Sequence, residues 1–127
     1  MRRIVINMQS YLFGDALAGI LRNAEFDFDV YKAEKPEDVV DMSRYLLPYA
    51  VLMEVTSFGP RLLDERMKIR DLLRRQNPDC KIVLIVDENA EEKLARRVKQ
   101  AKKDGLIDQF IYGSISAAYL AAVMDTL

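Results

Sequence analysis

Glu54 lies near the end of an apolar run, residues 50–55 (AVLMEV), and its position suggests a chemical role. The run has the length and composition of a buried strand, and it leads directly into the polar, glycine-containing stretch TSFG. A carboxylate placed where a buried strand meets a loop can act as a nucleophile or as an oxygen ligand for a metal ion. Which of these it does depends on the side chains at the ends of the neighbouring strands.

The sequence contains no histidine and one cysteine, Cys80. Histidine-based metal sites, serine–histidine and cysteine–histidine catalysis, and a phosphohistidine role are therefore excluded. A single cysteine also excludes an internal disulfide and is typical of a reducing compartment. We interpret Cys80, which precedes an apolar run, as inert packing.

The bulk composition is that of one globular domain spanning residues 1–127, with 50% hydrophobic and 31% charged residues. Nineteen basic residues against 20 acidic ones give a net charge of −1, so nothing draws the whole chain to nucleic acid or to an anionic membrane. The longest mostly apolar run, residues 115–124, has about half of the roughly 20 residues that a spanning helix needs. The apolar run at the N-terminus is interrupted at Asn7 and Gln9, unlike a secretory signal, so we expect a cytoplasmic protein.

Short apolar runs alternate with amphipathic segments along the whole chain. The runs predict strands at residues 3–8, 28–33, 50–55, 81–86 and 109–113. The segments between and after them predict helices at residues 10–26, 35–48, 61–76, 90–105 and 116–127. Ser10 and Ser116 are suitable N-caps, and Gly105 is a suitable stop. The pattern is that of a (βα)5 chain.

This alternation predicts an α/β protein with three layers, in which helices cover both faces of a parallel five-stranded sheet. The second strand is the least apolar and belongs at an edge, whereas the first, third and fourth are apolar enough to be central. Right-handed crossovers then favour the strand order 2-1-3-4-5. A site is expected at the carboxyl ends of the strands. The residues placed there are Met8, Gln9, Glu54, Val86, Asp87 and Gly113.

Three stretches of the chain resemble the receiver domain of two-component response regulators, the CheY-like family. They are residues 3–21 (RIVINMQSYLFGDALAGIL), 72–86 (LLRRQNPDCKIVLIV) and 104–116 (DGLIDQFIYGSIS). The resemblance covers essentially the whole chain and implies the flavodoxin-like (βα)5 fold and a role in bacterial signal transduction. The span from Glu54 to Pro78 is a few residues longer than is usual in that family. We therefore expect the third helix, or the loop before it, to differ.

The resemblance implies a site in which every chemical part is replaced. In the family an acidic pair after the first strand holds Mg²⁺, and an aspartate after the third accepts a phosphoryl group. A hydroxyl residue after the fourth strand and a lysine after the fifth contact the phosphoryl oxygens. The matching positions here are Met8 and Gln9, then Glu54, Val86 and Gly113, or Tyr112 if the register shifts by one. The chain is thus identified as a degenerate pseudo-receiver, with no cofactor, no metal and no enzymatic activity expected.

Glu54 leaves three readings open: a remnant of a degenerate site, a mimic of a phosphorylated aspartate, and a working phosphoacceptor. A lone carboxylate cannot organise Mg²⁺, and we interpret Asp87 and Glu88 as a solvated helix start. Glu54 could mimic a phosphorylated aspartate, but the hydroxyl and lysine that would respond to its charge are absent, so we favour plain degeneracy. The alternatives are a working phosphoacceptor that uses an unusual acid and a flavodoxin-like small-molecule binder. The glycines do not have a phosphate-cradling spacing, which disfavours the binder.

Basic residues are concentrated on the third and fourth helices. They are Arg61, Arg66, Arg70, Arg74 and Arg75 near the third, and Lys93, Arg96, Arg97, Lys99, Lys102 and Lys103 on the fourth. We interpret them as solvated helix faces, since acidic residues are interspersed and no aromatic residues interleave them. Contact with nucleic acid is expected only through a separate effector domain.

The last helix is apolar on two sides. Leu120, Val123, Met124 and Leu127 are expected to face the sheet. Ala118, Tyr119 and Ala122 stand where a surface helix is normally polar, so we expect this side to be covered by a partner. In receivers, the fourth helix, fifth strand and fifth helix form a common self-association surface. We therefore predict a homodimer or a protein partner there, with Tyr112 on the surface and Glu91 and Glu92 pairing with Arg96, Arg97 and Lys103 at its rim.

Overall fold

The structure, a computed structural model, describes residues 1–87 and 92–127. The strands are β1 (Arg2–Asn7), β2 (Phe28–Lys32), β3 (Ala50–Val55), β4 (Lys81–Val86) and β5 (Gln109–Tyr112). The helices are α1 (Tyr11–Asn23), α2 (Pro36–Leu46), α3 (Leu63–Gln76), α4 (Glu92–Lys103) and α5 (Ala117–Asp125), with a 3₁₀ turn at Gly59–Arg61 before α3. The predicted alternation is confirmed. Within the described ranges, no helix is both long and apolar enough to cross a membrane.

All strands are parallel and follow the order β2-β1-β3-β4-β5, as predicted. β2 lies at one edge, in agreement with its mixed composition. The register pairs Asn7 with Met53, Val55 with Val86, and Val86 with Tyr112. Four strands therefore end side by side, which brings the ends of β1, β3, β4 and β5 to one edge of the molecule.

Each face of the sheet packs against its own layer of helices. On one face α2, α3 and α4 cover a core that includes Val5, Val39, Val51, Met53, Ile69, Leu73, Leu84, Leu94 and Val98. On the other face α1 and α5 cover a core that includes Ile4, Ile6, Leu17, Leu21, Leu52, Val83, Ile85, Leu120 and Met124. Because β1, β3 and β4 are covered on both sides, their sequences are nearly continuous apolar runs rather than alternating ones.

The helix ends follow the predicted capping residues, with some shifts of boundary. The Ser10 hydroxyl accepts from the Phe13 N–H at 3.2 Å, and the Ser116 hydroxyl accepts from the Tyr119 N–H at 3.1 Å. Gly105 follows α4 with φ +75°, which suits a residue without a Cβ. β1 ends one residue earlier than predicted, and α3 begins two residues later, after the 3₁₀ turn. The first two residues predicted for the fourth helix, Ala90 and Glu91, lie outside the described part of the chain.

Arg2 fixes the C-terminal end of α5 to the amino-terminal edge of the sheet. Its guanidinium carbon stands 4.8 Å from the centre of the Phe28 ring and 4.9 Å from that of Tyr49. The same group donates to the Asp125 carboxylate at 2.5 Å and to the Asp27 carboxylate at 2.8 Å. The hydrogen bond to Asp125, partly opposed by burial, raises the pKa of Arg2. This cation therefore orients α5 from the end opposite to the candidate site.

The buried thiol of Cys80 gives the protein a pH-dependent loss of stability. The residue is 1% exposed, and burial raises the pKa of its thiol from 9.0 to about 12. Above about pH 9 the unfolded chain loses this proton while the native state keeps it, so the free energy of unfolding falls as the pH rises. Above that pH, we expect the free energy of unfolding of wild type to fall relative to that of Cys80→Ala. The expected fall is up to about 1.4 kcal/mol per pH unit.

Urea unfolding under reducing conditions at pH 7.5 and at pH 10 measures this difference. Val83→Ala, which truncates a buried residue of the adjacent strand β4 without removing a titrating group, is the control and should show a pH-independent difference. A Cys80→Ala difference that is equal at both pH values would contradict the prediction.

Candidate functional site

The carboxyl ends of the central strands open into a cleft of about 390 Å³. Its walls are Ser10, Phe13, Glu54, Ile85, Val86, Asp87, Gly113 and Ser114. The structure thus brings together Glu54, Val86, Asp87 and Gly113, which were singled out from the sequence, and leaves Met8 and Gln9 outside the lining. Among the described residues that line the cleft, none is basic.

The Glu54 carboxylate connects β3 to the loop that follows β1. One of its oxygens accepts a hydrogen bond from the backbone N–H of Gln9 at 2.7 Å, and the side chain is only partly exposed. This bond requires the carboxylate to lean from β3 toward β1. Glu54 therefore already has a structural partner within the chain.

Met8 and Gln9, which match the positions of the family's acidic pair, are not acids and differ in how far they are exposed to solvent. Met8 is 6% exposed and belongs to the core under α1 and α5. A Cβ added at Gly14 would lie 3.8 Å from the Met8 Cβ, which is an ordinary contact distance. Gln9 is exposed. Among the residues that the structure describes, no three acidic, cysteine or histidine side chains converge to hold a metal ion.

The positions that match the family's hydroxyl residue and lysine, Val86 and Gly113 or Tyr112, bring no charged side chain to the cleft. Val86 is completely buried, and its carbonyl accepts from the Gly113 N–H at 3.0 Å. A Cβ at Gly113 would lie 3.8 Å from the Phe13 ring, so the position has ordinary contact distances and no side chain of its own. Tyr112, the alternative register, packs edge-on against Phe110 with 5.8 Å between ring centres. Neither position brings a cation into the cleft.

Arg66 lies entirely beneath the strand ends, on the face of the sheet opposite to the cleft. It is 0% exposed, so its interpretation as part of a solvated helix face is wrong. Its Nε donates to the Glu54 carbonyl at 2.8 Å, and its Nη2 donates to the Asn7 side-chain oxygen at 2.7 Å and to the Asn7 carbonyl at 3.3 Å. The spacing of Arg66 from Leu63, Ile69 and Leu73, which are buried on α3, is the signal that could have placed it inside.

Asn7 is the acceptor at the centre of this network, and sequence reasoning missed it as a functional residue. It is 0% exposed, and its Nδ2 donates to the Ala33 carbonyl at 2.8 Å. Its side-chain oxygen also accepts from Arg61 Nε at 3.2 Å, while Arg61 Nη2 donates to the Glu34 carbonyl at 3.1 Å. Two guanidinium groups therefore share one amide oxygen, and together they join the ends of β1, β2 and β3 to the start of α3.

The Arg66 guanidinium stays charged in this buried position. Burial lowers its pKa to about 9, and the charge of Arg61 acts in the same direction while that of Glu54 opposes it. A pKa near 9 still leaves the group protonated at neutral pH. Its Nη1 has no hydrogen-bond partner among the described residues. The three oxygen acceptors and the nearby carboxylate offset the cost of burying the charge.

The basic residues of α4 form ion pairs that differ in part from those expected. Arg96 pairs with Glu92 at 2.7 Å, as predicted. Arg97 instead reaches across to Asp64 on α3 at 2.8 Å, which corrects the prediction that it pairs within its own helix. Glu88 and Glu91, for which a solvated helix start and a rim pairing were predicted, lie outside the described residues.

The outer side of α5 has the predicted orientation. Leu120 and Met124 are buried against the sheet, and Val123 and Leu127 are partly buried there. Ala118, Tyr119 and Ala122 are exposed, with 56% of Tyr119 open to solvent. Tyr112 on β5 is also exposed, at 37%. The helix therefore presents a small apolar surface around one aromatic side chain.

Comparisons with known proteins identify the fold. No protein-family model matches the chain, and no curated protein matches it by sequence. Solved structures do match. A response regulator protein from Burkholderia multivorans is 19% identical with a TM-score of 0.71, and the match covers 99% of this chain and 94% of that one.

Two further structures extend the comparison. A LuxR-family DNA-binding response regulator from Staphylococcus aureus is 11% identical with a TM-score of 0.76, covering 98% of this chain and 97% of that one. A CheY-like protein (tadZ) from Pseudomonas aeruginosa PAO1 is 16% identical with a TM-score of 0.68, covering 98% and 91%. The chain therefore has the flavodoxin-like receiver fold of two-component response regulators. At these identities the likeness shows the fold alone.

Magnesium should not stabilise this protein. A ligand that binds only the native state raises its stability by mass action, but Met8 and Gln9 offer no carboxylate beside Glu54. We expect millimolar Mg²⁺ to leave Tm unchanged relative to an ionic-strength control of NaCl. The double variant Met8→Asp/Gln9→Asp is the positive comparison, in which a Mg²⁺ response can appear. A saturable, Mg²⁺-specific rise in the Tm of wild type would show that another acid, such as Asp87, has been recruited.

Proposed function

We propose that this chain is an atypical receiver domain that acts as a phosphorylation-independent protein-interaction module in bacterial two-component-type signal transduction. The observation that carries the proposal is that the Glu54 carboxylate, at the end of β3 in a receiver fold, already accepts a hydrogen bond from the Gln9 N–H. Nothing basic lines the described part of the cleft beside it. Phosphoryl transfer needs a metal or cationic side chain to offset developing charge, so the proposed role is binding rather than catalysis.

A working phosphoacceptor is the second candidate, because Glu54 and Asp87 both line the same cleft. Two carboxylates and the hydroxyls of Ser10 and Ser114 form a polar mouth that a metal ion could enter. The missing lysine and the burial of Val86 count against this candidate, since neither position offers a group that would hold phosphoryl oxygens. Phosphoryl uptake separates the two candidates directly.

The chain should not take up a phosphoryl group. We expect no mass gain after incubation with acetyl phosphate and Mg²⁺, because Met8, Gln9, Val86 and Gly113 cannot supply the supporting contacts. Intact-mass measurement provides the readout, with an active receiver treated in parallel as the positive control. A gain of one phosphoryl group that Glu54→Gln abolishes would overturn the proposed role in favour of the phosphoacceptor.

The proposed binding surface is the face formed by α4, β5 and α5. Ala118 and Ala122 allow close approach of another helix, and Tyr119 supplies an aromatic anchor of the kind that dominates interface energies. We assign Arg96 and Arg97 of α4 to the rim of this face; in the structure Arg96 pairs with Glu92 and Arg97 with Asp64. We propose a second copy of the chain, or another cytoplasmic protein, as the occupant. Nucleic acid would be reached only through an effector domain.

Tyr119→Glu should weaken self-association. The substitution places a charge at the centre of the proposed apolar contact and removes its largest side chain, at an estimated cost of roughly 2 kcal/mol or more in association free energy. Analytical ultracentrifugation at micromolar concentrations measures the effect. Tyr45→Glu is the matched control, because Tyr45 is a tyrosine with 82% exposure on α2, away from the proposed face. A wild type that remains monomeric at high concentration would exclude the second copy and leave another protein as the occupant.

A further inference from the structure

We propose that Arg66 is a built-in counter-charge to the Glu54 carboxylate, and that it holds β1, β3 and the loop before α3 in one fixed arrangement. The inference deepens the proposed function, since an interaction module that needs no phosphoryl group requires a site that is stable without one. It concerns the face of the sheet opposite to the cleft. Its residues are Asn7, Arg61 and Arg66.

The oxygens around Arg66 form a small coordination set. The Asn7 carbonyl and side-chain oxygen and the Glu54 carbonyl come from two neighbouring strands, and all three accept from one guanidinium at 2.7–3.3 Å. Neutral oxygens from adjacent strand ends are the kind of ligands that a hard cation takes. A guanidinium is planar, carries five N–H donors and stays charged, so it can bridge these oxygens with directional bonds.

Glu54 and Arg66 carry opposite charges on the two faces of β3. The Glu54 carboxylate is held toward the cleft side by the Gln9 N–H, and its negative charge favours the protonated form of Arg66 behind it. Arg61 adds a second positive charge at the same Asn7 oxygen, which makes the carboxylate more important to the balance. An acid at position 54 thus has a purpose that involves no phosphoryl transfer.

The network also fixes the loop between β3 and α3. The Thr56 N–H donates to the Arg61 carbonyl at 3.0 Å, and the Thr56 hydroxyl donates to the Phe58 carbonyl at 2.6 Å. Arg61 and Arg66 then attach the far end of the loop to Asn7 on β1. If these side chains hold the loop, removing the charge of Arg66 should release it without unfolding the sheet.

Rescue of Arg66→Ala by methylguanidinium tests whether the site recognises this cation. The substitution leaves the three oxygens around a space of the right shape, so millimolar methylguanidinium should raise Tm saturably, by several degrees, beyond an equal concentration of tetramethylammonium. Leu73→Ala is the matched control, because it also truncates a buried residue of α3 but exposes none of these oxygens. An equal response in both variants, or no response in Arg66→Ala, would overturn the proposal.

Arg66→Met provides a second reading if the alanine variant does not fold. Methionine keeps much of the volume and removes the charge, so amide hydrogen exchange at residues 56–62 should become roughly tenfold faster or more. Leu73→Ala should accelerate exchange in α3 without this selective effect on the loop. Loop protection equal to that of wild type would refute the counter-charge. Phosphoryl uptake at Glu54 in wild type would refute the proposed function while leaving the rescue result intact, so the two failures are distinguishable.

Discussion

The burial of one positive charge governs the arrangement of the carboxyl end of the sheet. A guanidinium that is 0% exposed must be surrounded by acceptors, because an uncompensated charge in the interior would cost several kcal/mol. Arg66 finds its acceptors on two strands at once, which fixes the position of α3 relative to β1 and β3. Asn7 is therefore needed as an amide at the end of β1, where any apolar residue would remove the side-chain oxygen that Arg61 and Arg66 share.

This constraint gives a physical reading of the acid at position 54. Receiver chemistry needs a metal ion that offsets the charge of the phosphoryl group and side chains that contact the phosphoryl oxygens. In this chain the carboxylate accepts from a backbone N–H on one face of the sheet, and a permanent cation stands on the other. The charges of Glu54, Arg61 and Arg66 at the strand ends are all anchored in the chain. The same fold can therefore serve a static binding role, which agrees with the general observation that fold does not dictate function.

The fold was predictable from the sequence because its signals are local. Apolar runs such as residues 81–86 and the serine caps of α1 and α5 each specify an element, and the least apolar strand identifies the edge. The burial of Arg66 was not predictable in the same way, because arginine side chains are normally solvated. The acceptors of Arg66 also lie on β1 and β3, which are distant from it in the sequence. Asn7 was interpreted as a break in an apolar run, although it is the buried acceptor. The pairing of Arg97 with Asp64 likewise depends on tertiary packing of two helices rather than on spacing within one.

The two ends of the molecule have complementary roles in presenting α5. At the amino-terminal edge, Arg2 between the rings of Phe28 and Tyr49 holds Asp125 and therefore the last turn of the helix. The Tyr49 hydroxyl donates to the Met124 carbonyl at 2.7 Å and adds a second attachment. At the opposite edge, the internal network fixes the strand ends against which the helices pack. Because the helix is anchored by groups that do not use its outer side, Tyr119 lies on a well-anchored element, and covering it would cost little conformational entropy for ordering this surface.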